Sequence, residues 1–192
     1  LGRVIYVTGT ASITPVIENL HITGGRADYG AGVYLGANVN ATLQNNVIYR
    51  NEATQFGGGV YNYGSGHALL RHNTIYSNTA NLGGGVFAST NGSGLVTLRN
   101  TIVAHNAAAS GGGVYNPDDQ ARFVLSFNDF YNNAGGDYYG ASSTTDISVP
   151  PGFVNPTGGD FHLALTSAVI NAADPASTLA TDFEGDSRPQ GT

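Results

Sequence analysis

The chain has 192 residues, of which 28 are glycine and only 10% are charged, and it contains neither cysteine nor lysine. That composition excludes disulfides and thiolate metal sites and argues against a helical bundle, because glycine and asparagine favour turns over helix interiors. A formal net charge of −6 opposes binding to phosphate backbones, so nucleic acid is not an expected partner, and no apolar run of about 18 residues is present to span a membrane as a helix.

From the N-terminus, RVIYVTG (3–9) reads as a strand with no amphipathic helix before it; the chain opens at Leu1, as a processed mature protein or an excised fragment would. Repeats follow. GAGVY (30–34), GGGVY (57–61), GGGVF (83–87) and GGGVY (111–115) recur at spacings of 27, 26 and 28 residues. Upstream of each stands an asparagine, in the series Asn19, Asn46, Asn73, Asn100 and Asn128, and a second column runs through Asn51, Asn78, Asn106 and Asn133. Gly24 holds the corresponding place in the first repeat, and the extra residue between Asn100 and Asn106 reads as a local bulge. LLRHNTIYSN (69–78) and VTLRNTIVAHN (96–106) are short and rich in β-branched and aromatic residues, which suits strands and not a helix-pair repeat. The repeat is therefore a strand-and-turn coil.

Stacked coils place equivalent residues about 4.8 Å apart. Ile48, Ile75, Ile102 and Phe130 are expected to form one inward apolar column, and Val33, Val60, Val86 and Val114 another. The asparagine columns are expected to be structural ladders, since an amide both donates and accepts. The predicted fold is all-β: a right-handed single-stranded parallel β-helix of about five 27-residue coils over 1–145, with a C-terminal capping or tail region over 146–192 packed on it. NNVIYRNEA (45–53), HNTIYSNTA (72–80), RNTIVAHNAA (99–108) and the GGGVY blocks resemble right-handed parallel β-helix repeats of secreted bacterial proteins, of the polymorphic outer-membrane-protein-like and pectate-lyase-like kinds. PPGFVNPTGGDFHLALTSAVINAADP (150–175) and TDFEGDSRPQG (181–191) resemble the end of choice-of-anchor surface proteins. The resemblance implies a secreted or cell-surface location.

Few residues suggest chemistry. Arg50, Arg71, Arg99 and Arg122 recur without carboxylates beside them, and Asp118 and Asp119 are neighbours that an extended chain points apart. The five histidines show no metal spacing. No catalytic constellation is expected, and no cofactor other than calcium: Asp182, Glu184 and Asp186 either wrap a calcium ion or close a hydrogen-bonded turn capped by Arg188. Asn40 and Asn91 head N-glycosylation patterns in loops after a GVY block. The expected function is a non-catalytic structural or adhesive surface module. Both solenoid ends look unfinished, the repeat fading after Asn133, so copies of the chain are expected partners, head to tail in a filament. Surface glycans are the alternative partner, through polysaccharide binding or degradation, and a groove lined by tyrosines such as Tyr63 and Tyr139 would favour binding.

Overall fold

A computed structural model describes residues 2–89, 93–117 and 122–188. Three parallel sheets run the length of a β-solenoid of about five coils, and among the described residues there is no helix. The six-stranded sheet comprises Ile5–Val7, Val33–Leu35, Val60–Asn62, Val86–Ala88, Val114–Tyr115 and Tyr138–Tyr139. The first five-stranded sheet comprises Val16–Glu18, Ala41–Gln44, Ala68–Arg71, Val96–Arg99 and Phe123–Ser126, and the second comprises His21–Thr23, Val47–Tyr49, Thr74–Tyr76, Ile102–Ala104 and Asp129–Tyr131. Each strand pairs with its counterpart one coil away, so the period read from the sequence is the register of the sheets.

The core is three apolar columns. Val33, Val60, Val86 and Val114 stack in register and are fully buried. Leu43, Leu70, Leu98 and Leu125 form the second column. The third is Ile22, Ile48, Ile75, Val103 and Phe130. Val103 stands where Ile102 was expected: Ile102 pairs with Thr74 and Asp129 on the outward side of its strand. Adjacent strand residues face opposite ways, so a shift of one residue exchanges core for surface.

The same shift corrects one asparagine column. The Oδ1 atom of Asn73 accepts both the backbone N–H and the Nδ2 of Asn46 at 3.0 Å. Below Asn73 the ladder passes to Thr101, then Asn128, then Asp146, not through Asn100. In the first coil its place belongs to Leu20, whose N–H donates to Asn46, not to Asn19. Asn19 and Asn100 occupy the preceding corner, with φ of 56° and 51°, alongside Asn45, His72 and Phe127. Asparagine enters that left-handed region more readily than most residues, which is why two distinct columns carry the same amino acid. The second ladder, Asn51, Asn78, Asn106 and Asn133, is continuous: the Oδ1 atoms of Asn78, Asn106 and Asn133 each take two N–H groups from the coil before. Its first-coil partner is the N–H of Gly25; Gly24 is the φ +76° corner beside it.

The expected bulge lies elsewhere. Strands are offset by 26 residues at Val60–Val86 and by 28 at Ala68–Val96, Thr74–Ile102 and Val86–Val114, so the extra residues fall between Ala88 and Val96. The repeat also does not fade after Asn133. It shortens: Tyr138 pairs with Val114, Asn116 Nδ2 donates to Gly140, and Asp146 and Ile147 lie over Asn128 and Asp129. On that side residues 138–147 supply a contracted further coil.

The glycine triplets mark where coils approach most closely. Gly57 has φ +66°, and a Cβ on Gly59 would lie 2.6 Å from the carbonyl oxygen of Gly85 in the next coil. Only glycine accommodates that approach.

Replacing Asn78 by Ala removes two accepted and two donated hydrogen bonds inside the solenoid. Unsatisfied buried groups of this kind cost about 1–3 kcal/mol, and urea unfolding should show that loss. Asn19→Gly, at an exposed left-handed corner, should change stability by less than about 0.5 kcal/mol.

Candidate functional site

Outward from the valine column, the next residue of the six-stranded sheet is aromatic in every coil. Tyr6, Tyr34, Tyr61, Phe87, Tyr115 and Tyr139 form one row with ring centroids 5.0, 5.3, 5.4, 5.3 and 4.4 Å apart. Register produces it, because parallel in-register strands stack identical outward positions. The interplanar angle falls from 40° at Tyr6–Tyr34 to 2° at Tyr115–Tyr139. At the C-terminal end of the row the rings therefore use their faces on each other, and at the N-terminal end they are splayed.

The splayed end is widened from both sides. Tyr29 and Phe56, from the paired strands Arg26–Tyr29 and Glu52–Phe56, pack beside it, Tyr29 lying 5.7 Å from Tyr61 and Phe56 4.6 Å from Phe87. Tyr63 flanks the other side, 6.1 Å from both Tyr34 and Tyr61. Tyr6 is 59% exposed and Tyr139 47%, whereas Tyr61 and Phe87 in the middle are buried by their neighbours. The guanidinium of Arg3 lies 5.3 Å from the Tyr6 ring centre and 4.8 Å from that of Tyr34. Burial and the adjoining phenols push the Tyr34 hydroxyl up to about 12, so it stays a neutral donor and acceptor. The result is a broad aromatic surface fringed by phenolic hydroxyls. The signal for it was the last letter of each GGGVY block; Tyr63 and Tyr139, singled out in the sequence, lie on it.

A second outward aromatic column, Tyr49 and Tyr76 on the second five-stranded sheet, is covered. The antiparallel hairpin of Phe153–Asn155 and Asp160–Leu163 sets Phe161 5.0 Å from Tyr49 and Phe153 5.7 Å from Tyr76. Beyond the hairpin the chain runs back along the left-handed corner toward the first coil. The amide N–H of Asp174 donates to Asn100, and the Asp174 carboxylate pairs with Arg99. Ser177 Oγ lies 2.7 Å from His72 Nε2, and Asn45 Nδ2 donates to the carbonyls of Thr181 and Asp182. Phe183 meets His21 at 5.0 Å. The tail thus reads Asn100, His72 and Asn45 in reverse order.

Other residues raised by the sequence find separate places. Arg50 donates to the carbonyl of Thr157 in the hairpin, Arg71 to the Gln44 side chain at 2.9 and 2.7 Å, and Arg122 is buried. Asp182 Oδ1 accepts the N–H groups of Glu184 and Asp186, Glu184 lies 3.3 Å from His162, and Arg188 donates to the Thr181 carbonyl. That is a hydrogen-bonded turn, and among the described residues no three histidine or acidic side chains converge on a cation position. Asn40 is held between coils, its Nδ2 donating to Ser12 and its Oδ1 accepting from His67. Asn91, Asp118 and Asp119 lie outside the described residues.

His72 is the titrating group of the tail contact. Asn100 Nδ2 lies 3.2 Å from His72 Nε2, which makes that nitrogen an acceptor and the ring neutral. Burial, then Arg188, Arg71 and Arg99, lower its pKa to about 4. A base lowered in the folded state contributes stability that is present above its unfolded pKa and lost as pH falls. Acidification from about 6.5 toward about 4 should therefore loosen residues 174–182, read as lower hydrogen-exchange protection there once the pH dependence of intrinsic exchange is divided out. Asp129, raised to about 6 by burial, acts in the opposite sense over part of that window. The comparison is accordingly with His72→Asn, which keeps the corner and should flatten the acid dependence.

A family model described as disaggregatase related matches residues 29–181. No curated protein and no solved structure matches the chain.

Proposed function

Since this chain belongs to the disaggregatase-related family, we propose that it is an extracellular polysaccharide-binding β-solenoid that holds a linear glycan along the aromatic face of its six-stranded sheet. The observation that carries this reading is the row from Tyr6 to Tyr139, widened by Tyr29, Phe56 and Tyr63. A surface that repeats the same chemistry once per coil suits a ligand that repeats along its own length. Tyrosine offers an apolar ring and a polar tip together, the pairing that a sugar, with its apolar ring faces and peripheral hydroxyls, asks for. Extended aromatic patches of this kind on a protein surface mark binding sites. The net charge of −6 disfavours the other common polymer that stacks on aromatic rows, single-stranded nucleic acid.

An adhesive surface module is the same reading seen from the cell: the adhesion is to glycan. The name of the family refers to breaking up an aggregate, and a module that grips the polysaccharide between cells would deliver such an activity to it. The splayed rings Tyr6 and Tyr29, whose faces are least consumed by stacking, and Tyr63, which extends the surface 6.1 Å from Tyr34 and Tyr61, are the assigned contacts.

Affinity electrophoresis and calorimetry against soluble neutral and acidic polysaccharides test the proposal. Retardation by at least one polysaccharide is expected. Tyr6→Ala combined with Tyr63→Ala should weaken it at least about tenfold, corresponding to about 1.4 kcal/mol, with the melting temperature little changed. Failure to bind any of them would overturn the reading, and release of reducing ends or unsaturated products would replace binding with catalysis.

A further inference from the structure

Between the C-terminal hairpin and the second five-stranded sheet lies a cavity of about 360 Å³, within the size range of small-molecule sites. Its floor is Val47 and Thr74, outward residues paired in register. Two of its walls are aromatic: Phe161, held 5.0 Å from Tyr49, and the His21 ring, 5.0 Å from Phe183. Its polar edge is Asp160, His162 and Glu184. The imidazole bridges the two carboxylates, Nδ1 at 2.6 Å from Asp160 Oδ1 and Nε2 at 3.3 Å from Glu184 Oε1.

We propose that this cavity binds a single sugar unit bearing a free amine, with the ammonium at the Asp160 and Glu184 carboxylates and a ring face against Phe161 and His21. The inference takes only its class of ligand from the glycan reading, and its surface is separate from the aromatic row. Charge selects the ligand: against two carboxylates the lining sets the imidazole of His162, whose pKa the Asp160 hydrogen bond and then Glu184 raise, and no guanidinium, so the net charge stays negative, which favours a cation and repels a uronate. An ionised carboxylate has about four lone-pair positions, so the two contacts of Asp160 Oδ1 to His162, through its backbone N–H and its ring, and the one contact of Glu184 leave capacity for ammonium and hydroxyl donors. Aromatic walls add attraction for a cation as well as an apolar seat for the sugar ring. A bare acidic cluster would lack those walls, and a metal site would need convergence of three ligands, which is not found among the described residues.

The test is titration of the whole chain with galactosamine, N-acetylgalactosamine, galacturonate and cadaverine, followed by saturation-transfer NMR and calorimetry. Galactosamine should bind, N-acetylation should cost at least tenfold, and galacturonate should not bind. Cadaverine separates a bare amine from an amino sugar: it should bind at least tenfold more weakly, and equal binding would overturn the assignment. Glu184→Gln and, independently, Asp160→Asn should each weaken galactosamine at least tenfold. Both side chains are substantially exposed, so the fold should survive, as an unchanged melting temperature would report. Tyr6→Ala with Tyr63→Ala should leave galactosamine binding intact while polysaccharide binding falls, which separates failure of this site from failure of the aromatic face. Absence of galactosamine binding, or binding indifferent to both carboxylate variants, would sink the proposal.

Discussion

In-register parallel stacking is the constraint from which the rest of this structure follows. Each residue sits over its counterpart about 4.8 Å away, so every column must hold side chains that tolerate near-copies of themselves. Buried valine, leucine and isoleucine satisfy this inside, and aromatic rings and asparagine amides satisfy it elsewhere. Charges do not, since like charges directly opposite are destabilising. The outward column beginning at Glu18 shows how exceptions are handled. Gln44 donates to Glu18 on one side and accepts from Arg71 on the other, so one amide separates acid from base. Arg71 then faces Arg99 in register, and Arg99 is matched from outside by Asp174 of the tail. The 10% charged content is a consequence of this geometry.

The asparagine ladders have a direction, and their ends follow from it. Where asparagine follows asparagine, the backbone N–H and one Nδ2 hydrogen donate toward the C-terminal coil, to the Oδ1 below, and the other Nδ2 hydrogen donates back to a carbonyl of the coil before. The first position needs only a backbone donor, so Leu20 and Gly25 suffice there. The last position of one ladder needs only an acceptor, and there the residue is Asp146, whose Oδ1 takes both donors of Asn128. Thr101, in the interior, is the weaker substitute: its hydroxyl accepts from the Asn73 N–H at 3.4 Å and donates to its own neighbourhood at Arg99. Asn73 Nδ2 turns instead to the carbonyls of Leu43 and Arg71.

The period, the all-β class and the valine column were legible because each repeats, and repetition is what the register converts into structure. The one-residue errors arose where adjacent positions of the coil favour the same amino acid for different reasons. Asn45 is a left-handed corner and Asn46 a ladder member, and in the fourth coil only the corner kept its asparagine, as Asn100 beside Thr101. Ile102 and Val103 are equally apolar, and composition does not say which faces inward. The tail was not legible in detail, since Asp174, Ser177 and Asp182 carry no period of their own. Their spacing makes sense only against a corner column whose members lie on successive coils. The cavity with His162 was missed for the same reason: its floor and its edge are more than eighty residues apart in the chain.

The tail also bears on which surface is left for a ligand. Two outward faces carry aromatic residues, and the chain covers one of them itself, laying Phe153 and Phe161 edge-on against Tyr76 and Tyr49. Covering such a face is the ordinary outcome, because aromatic side chains lose favourable burial when they stay in water. The six-stranded sheet bears the longer row, yet its end rings remain 59% and 47% exposed. Mutual stacking explains why its central rings are buried, but it leaves Tyr6, Tyr29 and Tyr139 in solvent. Self-stacking alone would be served equally well by aliphatic ladders, which form the core a few ångströms away. The open aromatic face is thus the part of the molecule that the requirements of the solenoid do not account for, and the proposed glycan, lying along it, would supply the missing cover.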